Sequence, residues 1–216
     1  MKSKRSKVIL AGTGHRPSKL GDNAYERRSP IQDWVRREVR KVFKRLKPDV
    51  VISGMALGFD QWLALEAISC AIPLHAYVPF EGQESRWWGE SRTLYAELLS
   101  KAALVRTISS PDYEPWKMQK RNEAMVDDCT VVLSCWDGST GGTWNCIAYA
   151  NGIGRERINI NPVVGQQFIE RKENEMRALS RGGGSYSYLG SLKWKFKPSV
   201  EVESPLVPYD ESDIPF

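Results

Sequence analysis

The sequence alternates short apolar runs with longer amphipathic segments, and this alternation limits the folds open to it. Runs such as KVILAG and DVVISG are short and stop at glycine, as buried strands of parallel sheets do. Between these two runs, Trp34, Val39 and Phe43 recur on one face at helical spacing. Strands that alternate with helices predict an α/β, Rossmann-like, doubly wound fold, with a mostly parallel sheet and helices on both faces.

The first helix has the clearest start. Ser29 suits the N-cap, Pro30 suits the first helical position, and Gln32 follows three residues after Ser29 as in a capping box. We place later helices from about Gln61, over Glu84 to Ser100, over Trp116 to Asp127 and over Gly142 to Ala150.

Length and composition predict one core. The chain has 216 residues, of which 41% are hydrophobic, so it is long enough for one sizeable domain and an appendage. We divide it into a Rossmann-like domain, residues 1–181, and an extension, residues 182–216, that begins with Gly182-Gly183-Gly184. Because no run approaches the about 20 apolar residues that span a bilayer, we expect a soluble, cytoplasmic protein without membrane association.

The four cysteines and two histidines do not form a metal-binding pattern. Cys70, Cys129, Cys135 and Cys146 include no CxxC pair, and zinc-finger spacing cannot be assembled with two histidines. We therefore expect reduced thiols, no metal site and no required cofactor.

Glycine-containing loops follow four of the predicted strands. Their sequences are AGTGHRP, SGMALGFDQW, VPFEGQESRWW and CWDGSTGGTW, and three of the four contain at least two glycines. Glycine lets backbone amides approach a phosphate closely, and the helix that follows presents unpaired N–H groups and a positive partial charge. Because the carboxyl ends of parallel strands meet at one sheet edge, these loops predict a nucleotide-sized anion site there.

Four segments, in order and spacing, resemble a known family. They are GTGHRP, SGMALGFDQWLALEA, VPFEGQESRWW and QKRNEAMVDDCTVVLSCWDGSTGGTWNCIAYA, and together they span about Val8 to Ile160. The chain resembles the YpsA-like branch of the SLOG superfamily, a Rossmann-like group that also contains DprA and the Lonely Guy phosphoribohydrolases. This resemblance implies a pocket for a nucleotide or nucleotide-derived ligand, in a family with many sensors rather than catalysts.

The resemblance and the loop chemistry assign the same ligand-binding residues. Thr13 would donate to the ligand, Arg16 would contact an anion, and Asp60 would accept hydrogen bonds from ribose hydroxyls. The predicted ligand-binding set is Gly12, Thr13, Gly14, His15, Arg16, Ser53, Gly54, Gly58, Asp60, Pro79, Phe80, Arg121, Asn122, Asp137, Gly138, Gly141, Gly142 and Thr143.

Structural roles stay open for some of these residues. His15 could bond a nearby carbonyl, and Asp60 could cap a helix that begins at Gln61. Trp87 or Trp88 could stack on a base or simply pack in the protein.

The last glycine loop bears on catalysis. In the Lonely Guy enzymes, which it resembles, the loop reads Pro-Gly-Gly-x-Gly-Thr-x-x-Glu, and the glutamate is catalytic. Here Cys146 stands three residues after Thr143, and a neutral thiol cannot stabilise an oxocarbenium ion as a carboxylate does. We therefore favour a sensor or adaptor, with a nucleotide N-glycosidase as the alternative and Asp137 as the candidate catalytic residue.

The extension carries an alternating segment. Leu192, Trp194 and Phe196 alternate with Lys193, Lys195 and Lys197, which predicts a strand that packs on the domain. Basic residues interleaved with aromatics also suit single-stranded DNA, so a single-stranded nucleic-acid-binding adaptor is a second alternative. The sequence leaves the oligomeric state open, a homo-oligomer included.

The sequence ends in Asp213, Ile214, Pro215 and Phe216, with Asp210 and Glu211 just before them. This end resembles the docking tail of the bacterial single-stranded-DNA-binding protein. The resemblance implies that Phe216 enters a basic, apolar pocket on a partner while the acids steer the approach. We therefore expect recruitment to DNA replication or repair proteins that recognise this tail.

Overall fold

The computed structural model describes residues 5–21, 24 and 28–181, with side chains as far as residue 178. Within these ranges six strands and six α-helices alternate, and all strand pairs are parallel, in the order β4-β3-β2-β1-β5-β6. The predicted doubly wound α/β fold is confirmed. The strands are β1 (Ile9–Gly14), β2 (Val50–Ser53), β3 (Leu74–Val78), β4 (Leu104–Thr107), β5 (Val131–Cys135) and β6 (Glu156–Ile160). The helices are α1 (Pro30–Leu46), α2 (Phe59–Ser69), α3 (Gly89–Ser100), α4 (Pro115–Asp127), α5 (Gly142–Gly152) and α6 (Pro162–Arg181), with a 3₁₀ turn over Pro17–Lys19.

The start of α1 has the predicted cap. Ser29 Oγ accepts a hydrogen bond from the Gln32 amide at 3.3 Å. The Gln32 side chain reaches back to accept one from the Arg28 amide at 2.9 Å. The Ser29 side chain therefore satisfies one of the amides that the first turn of a helix leaves without partners, and the Gln32 side chain satisfies the amide of Arg28, just before the N-cap.

Apolar side chains fill the space on both faces of the sheet. Leu10, Val51 and Leu133 belong to the core cluster that includes α1 and α2 side chains. The neighbouring positions Ala11 and Ile52 point the other way and pack with side chains from α4 and α5. This alternation of faces along each strand explains why the strands read as continuous apolar runs.

Two helices begin elsewhere than the sequence predicts. Helix α3 begins at Gly89 instead of Glu84, because turns occupy the preceding residues, with Gly82 at φ +81°. Helix α2 begins at Phe59, and its N-cap is Gly58, at φ +89°. A Cβ on Gly58 would lie 2.6 Å from the His15 carbonyl oxygen, so this tight turn requires glycine. The alternative in which Asp60 caps the helix is therefore wrong, since Asp60 lies inside the first turn.

Several sequence-based predictions fall beyond the described part of the chain. The extension over residues 182–216, its alternating aromatic and basic segment and its acidic tail all lie outside the described residues. Among the described residues, no helix is long and apolar enough to cross a membrane. Within the same ranges, no group of three His, Cys, Asp or Glu side chains could hold a metal ion.

Candidate functional site

A pocket of about 340 Å³ lies at the carboxyl edge of the sheet, beside the ends of β1 and β5. The strand order changes direction between these two central strands. Strands β2, β3 and β4 follow on one side of β1, whereas β5 and β6 lie on its other side. Open α/β sheets bind ligands at this position. The lining residues are Thr13, Gly14, His15, Arg16, Ser18, Lys19, Ala56, Asp60, Met118, Arg121, Asn122, Thr140, Gly141, Gly142 and Thr143.

The fold brings ten of the predicted ligand-binding residues together in this pocket. They come from three of the four glycine loops and from α4. They are Thr13, Gly14, His15, Arg16, Asp60, Arg121, Asn122, Gly141, Gly142 and Thr143.

Other predicted residues lie behind the lining and support it. Gly12 packs under Leu63, where a Cβ would come within 1.9 Å of Leu63 Cδ2. Ser53 Oγ donates to the Asp60 carbonyl at 2.7 Å, and the Gly54 carbonyl accepts from Arg121 Nη1. Gly58, Asp137 and Gly138 likewise belong to the loops around the pocket without lining it.

The third glycine loop stays out of the pocket. Phe80 is buried and makes a T-shaped contact with Tyr113, with ring centroids 6.1 Å apart, and neither Phe80 nor Pro79 lines the pocket. Trp87 packs against Tyr95, whereas Trp88 is 88% exposed. The predicted contacts of Pro79 and Phe80 with the ligand are therefore not provided by this arrangement.

Lys19 is a lining residue that the sequence analysis missed. Its Nζ donates to Ser139 Oγ at 2.9 Å and to the Thr140 carbonyl at 3.2 Å, so it connects the β1 loop to the β5 loop. A signal existed, because Lys19 follows Arg16 by three residues, and a 3₁₀ turn places such residues on one side. The other missed lining residues are Ser18, Ala56, Met118 and Thr140.

His15 joins the loops that follow three strands. Its amide donates to the Cys135 carbonyl at 3.1 Å, and its carbonyl accepts from the Phe59 amide at 3.2 Å. Its ring Nε2 lies 2.7 Å from Asp137 Oδ1 and 3.2 Å from the Asp137 amide nitrogen. With 3% of its surface exposed, His15 is a fixed part of the pocket wall.

Asp137 is held in its ionised form. Partial burial alone would raise its pKa, but hydrogen bonds from Ser139 and the His15 contact outweigh burial and lower the pKa to about 2. The Ser139 amide donates to Asp137 Oδ1 at 2.9 Å. Because the same oxygen faces His15, this carboxylate is engaged with the protein.

We expect Asp137→Asn to destabilise the protein at neutral pH. Because Asp137 is an exposed residue and solvent screens its contacts, the fall in pKa from 3.8 to about 2 corresponds to about 1 kcal/mol or less of folding free energy. Because the pKa is lowered in the folded state, this contribution is present above about pH 4 and lost as the pH falls through about 2. Denaturant titrations of both proteins should therefore differ at pH 7 and converge toward pH 2. A constant difference across that range would contradict the pairing.

Arg121 and Asp60 form a buried charged pair at the pocket floor. Arg121 Nη1 lies 3.6 Å from Asp60 Oδ2, and Arg121 Nε donates to Asn122 Oδ1 at 3.0 Å. Burial raises the pKa of Asp60, and the positive charges of Arg121 and Arg16 oppose that effect. The Ala56 amide lies 3.4 Å from Asp60 Oδ2, a long hydrogen bond. Asp60 therefore retains capacity to accept hydrogen bonds from a ligand.

The N-terminus of α5 forms another part of the pocket wall. Gly141 is its N-cap, at φ +130°, and because glycine has no side chain this end has no capping hydrogen bond from the N-cap. The amides of the first helical turn, residues 142–144, have no partner within the helix. A Cβ on Gly142 would meet nothing within 4 Å, so this wall is open toward the pocket. Such an end suits a phosphate.

Cys146 lies inside α5, behind the pocket. Only 1% of its surface is exposed, and burial raises the pKa of its thiol to about 12, although a contact with Thr13 opposes that rise. The thiol is therefore protonated and neutral at pH 7. Neither a nucleophilic nor an acid–base role suits a thiol in this state.

The sheet order and the position of the pocket define a Rossmann-like, ligand-site architecture. The YpsA family model, described as the YspA SLOG family, matches residues 10–152, which is well over half of the chain. The chain therefore belongs to this family, and the predicted resemblance is confirmed.

Relatives from bacilli share this region. The SPbeta prophage-derived protein YoqJ of Bacillus subtilis is 31% identical over 130 residues, which are 51% of this chain and 75% of YoqJ. A UPF0398 protein of Bacillus pumilus is 28% identical over 145 residues, covering 62% of this chain and 76% of the relative.

Solved structures of DNA processing protein A share the fold. The Streptococcus pneumoniae protein gives a TM-score of 0.53 at 18% identity, over 72% of this chain and half of that longer chain. The Helicobacter pylori protein, described for its single-stranded DNA binding mode, gives 0.52 at 14% identity, over 81% of each chain. At these identities the likeness shows the fold alone.

Proposed function

We propose that this protein binds a nucleotide or nucleotide-derived ligand in the pocket, as a sensor or adaptor rather than as a catalyst. One observation carries the proposal: the same pocket is lined by the open N-terminus of α5, three cations and a buried carboxyl group. The cations are Arg16, Lys19 and Arg121, and the carboxyl group is that of Asp60.

This arrangement suits a ligand with two different polar ends. A phosphate would lie at the amides of residues 142–144, with Arg16 and Lys19 at its open side. Vicinal hydroxyls of a ribose would donate to Asp60, which accepts only long contacts from the protein. The pocket volume falls in the range of small-molecule sites.

Calorimetric titration with a nucleoside, its 5′-monophosphate and its 2′-deoxy monophosphate tests this proposal for each of the four bases. We expect the monophosphate to bind, the nucleoside to bind at least tenfold more weakly, and the deoxy form to lie between them. A nucleoside that binds as tightly as its monophosphate would contradict the phosphate site. Salt-dependent binding of oligodeoxythymidine, lost on neutralising Lys193, Lys195 and Lys197 and without any nucleotide binding, would support the adaptor alternative instead.

A nucleotide N-glycosidase is the second candidate, and Asp60 is the observation that favours it. A carboxyl group whose pKa is raised by burial, in a pocket, has the character of a general acid. Incubation with nucleoside monophosphates and detection of free base separates the two functions. Steady release that disappears in Asp60→Asn or Asp137→Ala would establish the enzyme, whereas a bound nucleotide recovered intact supports the sensor.

We further propose that the acidic tail recruits the protein to DNA replication or repair partners. The proposal rests on Asp210, Glu211 and the sequence Asp-Ile-Pro-Phe over residues 213–216. An aromatic ring after proline adds little to solubility, whereas it suits an apolar pocket rimmed by bases.

Removing Phe216 should abolish binding to a purified protein that recognises the single-stranded-DNA-binding protein tail. The expected loss is at least tenfold in affinity, because the ring is the apolar anchor of such a peptide. Fluorescence anisotropy of the labelled full chain measures it, with Ser212→Ala as the control. Equal affinity with and without Phe216 would refute the docking role.

A further inference from the structure

Helix α1 and its C-cap carry an excess of basic side chains. Over residues 30–47 the sequence has seven basic and two acidic residues, so the net charge of this stretch equals the +5 of the whole chain. Two of the basic residues, Arg36 and Arg40, donate to the buried carboxylate of Glu66. The other five are exposed, and we call them the α1 basic face. They are Arg37, Lys41, Lys44, Arg45 and Lys47.

The exposed side of the neighbouring helix α6 is different, because its charges are mixed. Three basic residues of α6 lie no farther than 3.8 Å from a glutamate three or four positions away in the same helix. They are Arg171, Lys172 and Arg177. Within the described part of the chain, Lys41 is the one residue of the α1 basic face that makes an ion pair, with Glu38 at 2.6 Å. The positive charge of α1 is therefore not balanced on the helix itself.

The cations of α1 repel one another. Arg37 and Lys41 are four positions apart, and so are Lys41 and Arg45, which makes them neighbours on the helix surface. Like charges at this spacing destabilise a helix. Cations in the last turn, such as Lys44 and Arg45, favour the helix dipole, but this effect does not reach Arg37 and Lys41. Helix stability alone therefore does not account for this concentration of positive charge.

The segment before β1 brings a further cation to the end of α1. Arg5 donates from Nη1 to the Lys47 carbonyl at 3.0 Å and from Nη2 to Asp49 Oδ1 at 2.8 Å. The Val8 amide donates to Asp49 Oδ2 at 2.7 Å. These bonds hold the segment against the end of α1, and Lys7, which lies between them in the chain, is exposed. The charge of Lys7 therefore adds to that of the α1 basic face.

The chemistry of this surface suits a ligand that has many negative charges and no apolar anchor. The aromatic residues of α1, Trp34 and Phe43, are buried, and the exposed large hydrophobic side chains of the described residues all lie outside this helix. Single-stranded nucleic acids stack on exposed aromatic rings, and membrane-surface helices insert apolar side chains. A nucleic-acid duplex needs neither, because it presents a dense row of phosphates to the protein.

We propose that the α1 basic face binds the phosphate backbone of a nucleic-acid duplex, whatever its base sequence. Positions 37, 41 and 44 fall within an arc of about 60° around the helix axis, so their side chains can approach one duplex together. The phosphates would offset the repulsion between these cations, and the release of condensed counterions would drive binding. None of the five residues lines the pocket, so the inference is independent of what the pocket binds.

Fluorescence anisotropy of a short labelled DNA duplex, titrated with the full chain at several salt concentrations, tests this proposal. We expect the logarithm of the binding constant to fall against the logarithm of the salt concentration with a slope of about −4.5, the value for five phosphate contacts. Arg37→Gln combined with Lys44→Gln should reduce the slope by about 2 and the affinity at least tenfold. Glutamine suits a helix, and the repulsion falls, so this variant should melt no lower than the wild type.

A second double variant controls for net charge. Lys101→Gln combined with Lys120→Gln removes the same charge from exposed residues outside α1, so the slope and the affinity should stay those of the wild type. If both double variants lose affinity equally, net charge and not the α1 basic face governs binding, and the proposal is overturned. An RNA duplex of equal length in the same titration shows which of the two duplexes the face prefers.

Other occupants of this surface give different results. A full chain that does not bind the duplex at low salt overturns the proposal, and so does oligodeoxythymidine that binds more tightly than the duplex. Binding to anionic vesicles without binding to the duplex would assign the face to a membrane and overturn it too. Duplex binding that is lost on neutralising Lys193, Lys195 and Lys197, and not in the α1 variant, would assign the duplex to the extension. Duplex binding that appears only when residues 201–216 are removed would assign the face to the chain's own acidic end. Each of these two results also contradicts the proposal.

Discussion

Replacing Arg121 with methionine is expected to lower the free energy of unfolding by about 3–5 kcal/mol and to abolish ligand binding. The guanidinium is 5% exposed and contacts Gly54, Asn122 and Asp60, which belong to different loops or helices of the pocket. Methionine fills a similar volume, so the loss is that of charge and hydrogen bonds. The substitution leaves the Asp60 carboxyl group buried without its charged partner. Chemical denaturation and nucleotide titration measure the two effects.

A double-mutant cycle separates the loss of the Arg121–Asp60 interaction from a general loss of stability. Asp60→Asn in the Arg121→Met background should recover part of the lost stability, because it removes the buried carboxyl group that was left alone. Lys120→Met is the matched control, since Lys120 is the exposed neighbour on the same helix. A cost below about 1 kcal/mol for Arg121→Met would contradict the central place given to this residue.

Gly142→Asp should separate binding from folding. Gly142 is the first residue of α5, a position where aspartate favours the helix dipole, and a Cβ there meets nothing within 4 Å. Stability should therefore stay within about 1 kcal/mol of wild type or rise. The new carboxylate would repel a phosphate at the same amides, so we expect at least a hundredfold loss of nucleotide affinity. Calorimetry and thermal melts measure the two quantities.

Helix α3 offers a control for this change. Gly89 is the first residue of α3, and a Cβ on it also meets nothing within 4 Å, but it does not line the pocket. Gly89→Asp adds the same charge at the same helix position, so it should leave the affinity unchanged. Equal affinity losses in both variants would show that net charge, and not a phosphate at α5, governs binding.

Most of the fold could be predicted because its signals are local. Ser29, Pro30 and Gln32 mark the start of α1 through contacts within four residues, and short apolar runs that end at glycine mark the strands. The start of α3 could not be predicted, since nothing in the helical pattern distinguishes the turns before Gly89 from a first helical turn. The exposure of β4 could not be predicted either. Leu104 and Val105 are as apolar as the residues of a covered strand, and the difference lies in which neighbours the fold supplies.

The site was predictable where chain connectivity alone places residues together. Parallel strands bring the loops after β1, β2 and β5 to one edge, so residues such as Thr13, Asp60 and Gly142 could be named from sequence. The same reasoning included Pro79 and Phe80, yet β3 lies two strands from β1, and its loop packs with Tyr113 instead. The contact of His15 with Asp137 joins residues 122 positions apart and depends on side-chain geometry. A sequence pattern does not indicate such a contact.

The ties made by His15 bear on how a bound ligand could be detected. Its amide, carbonyl and ring connect the loops after β1, β2 and β5. Loops that are tied to one another in this way have little movement to convert into a signal, since a ligand shifts an equilibrium only by its differential affinity for two states. A downstream protein would then read occupancy from the exposed groups of the ligand itself, as part of a composite surface. Specificity for the ligand would then be determined by the pocket and by the downstream protein together.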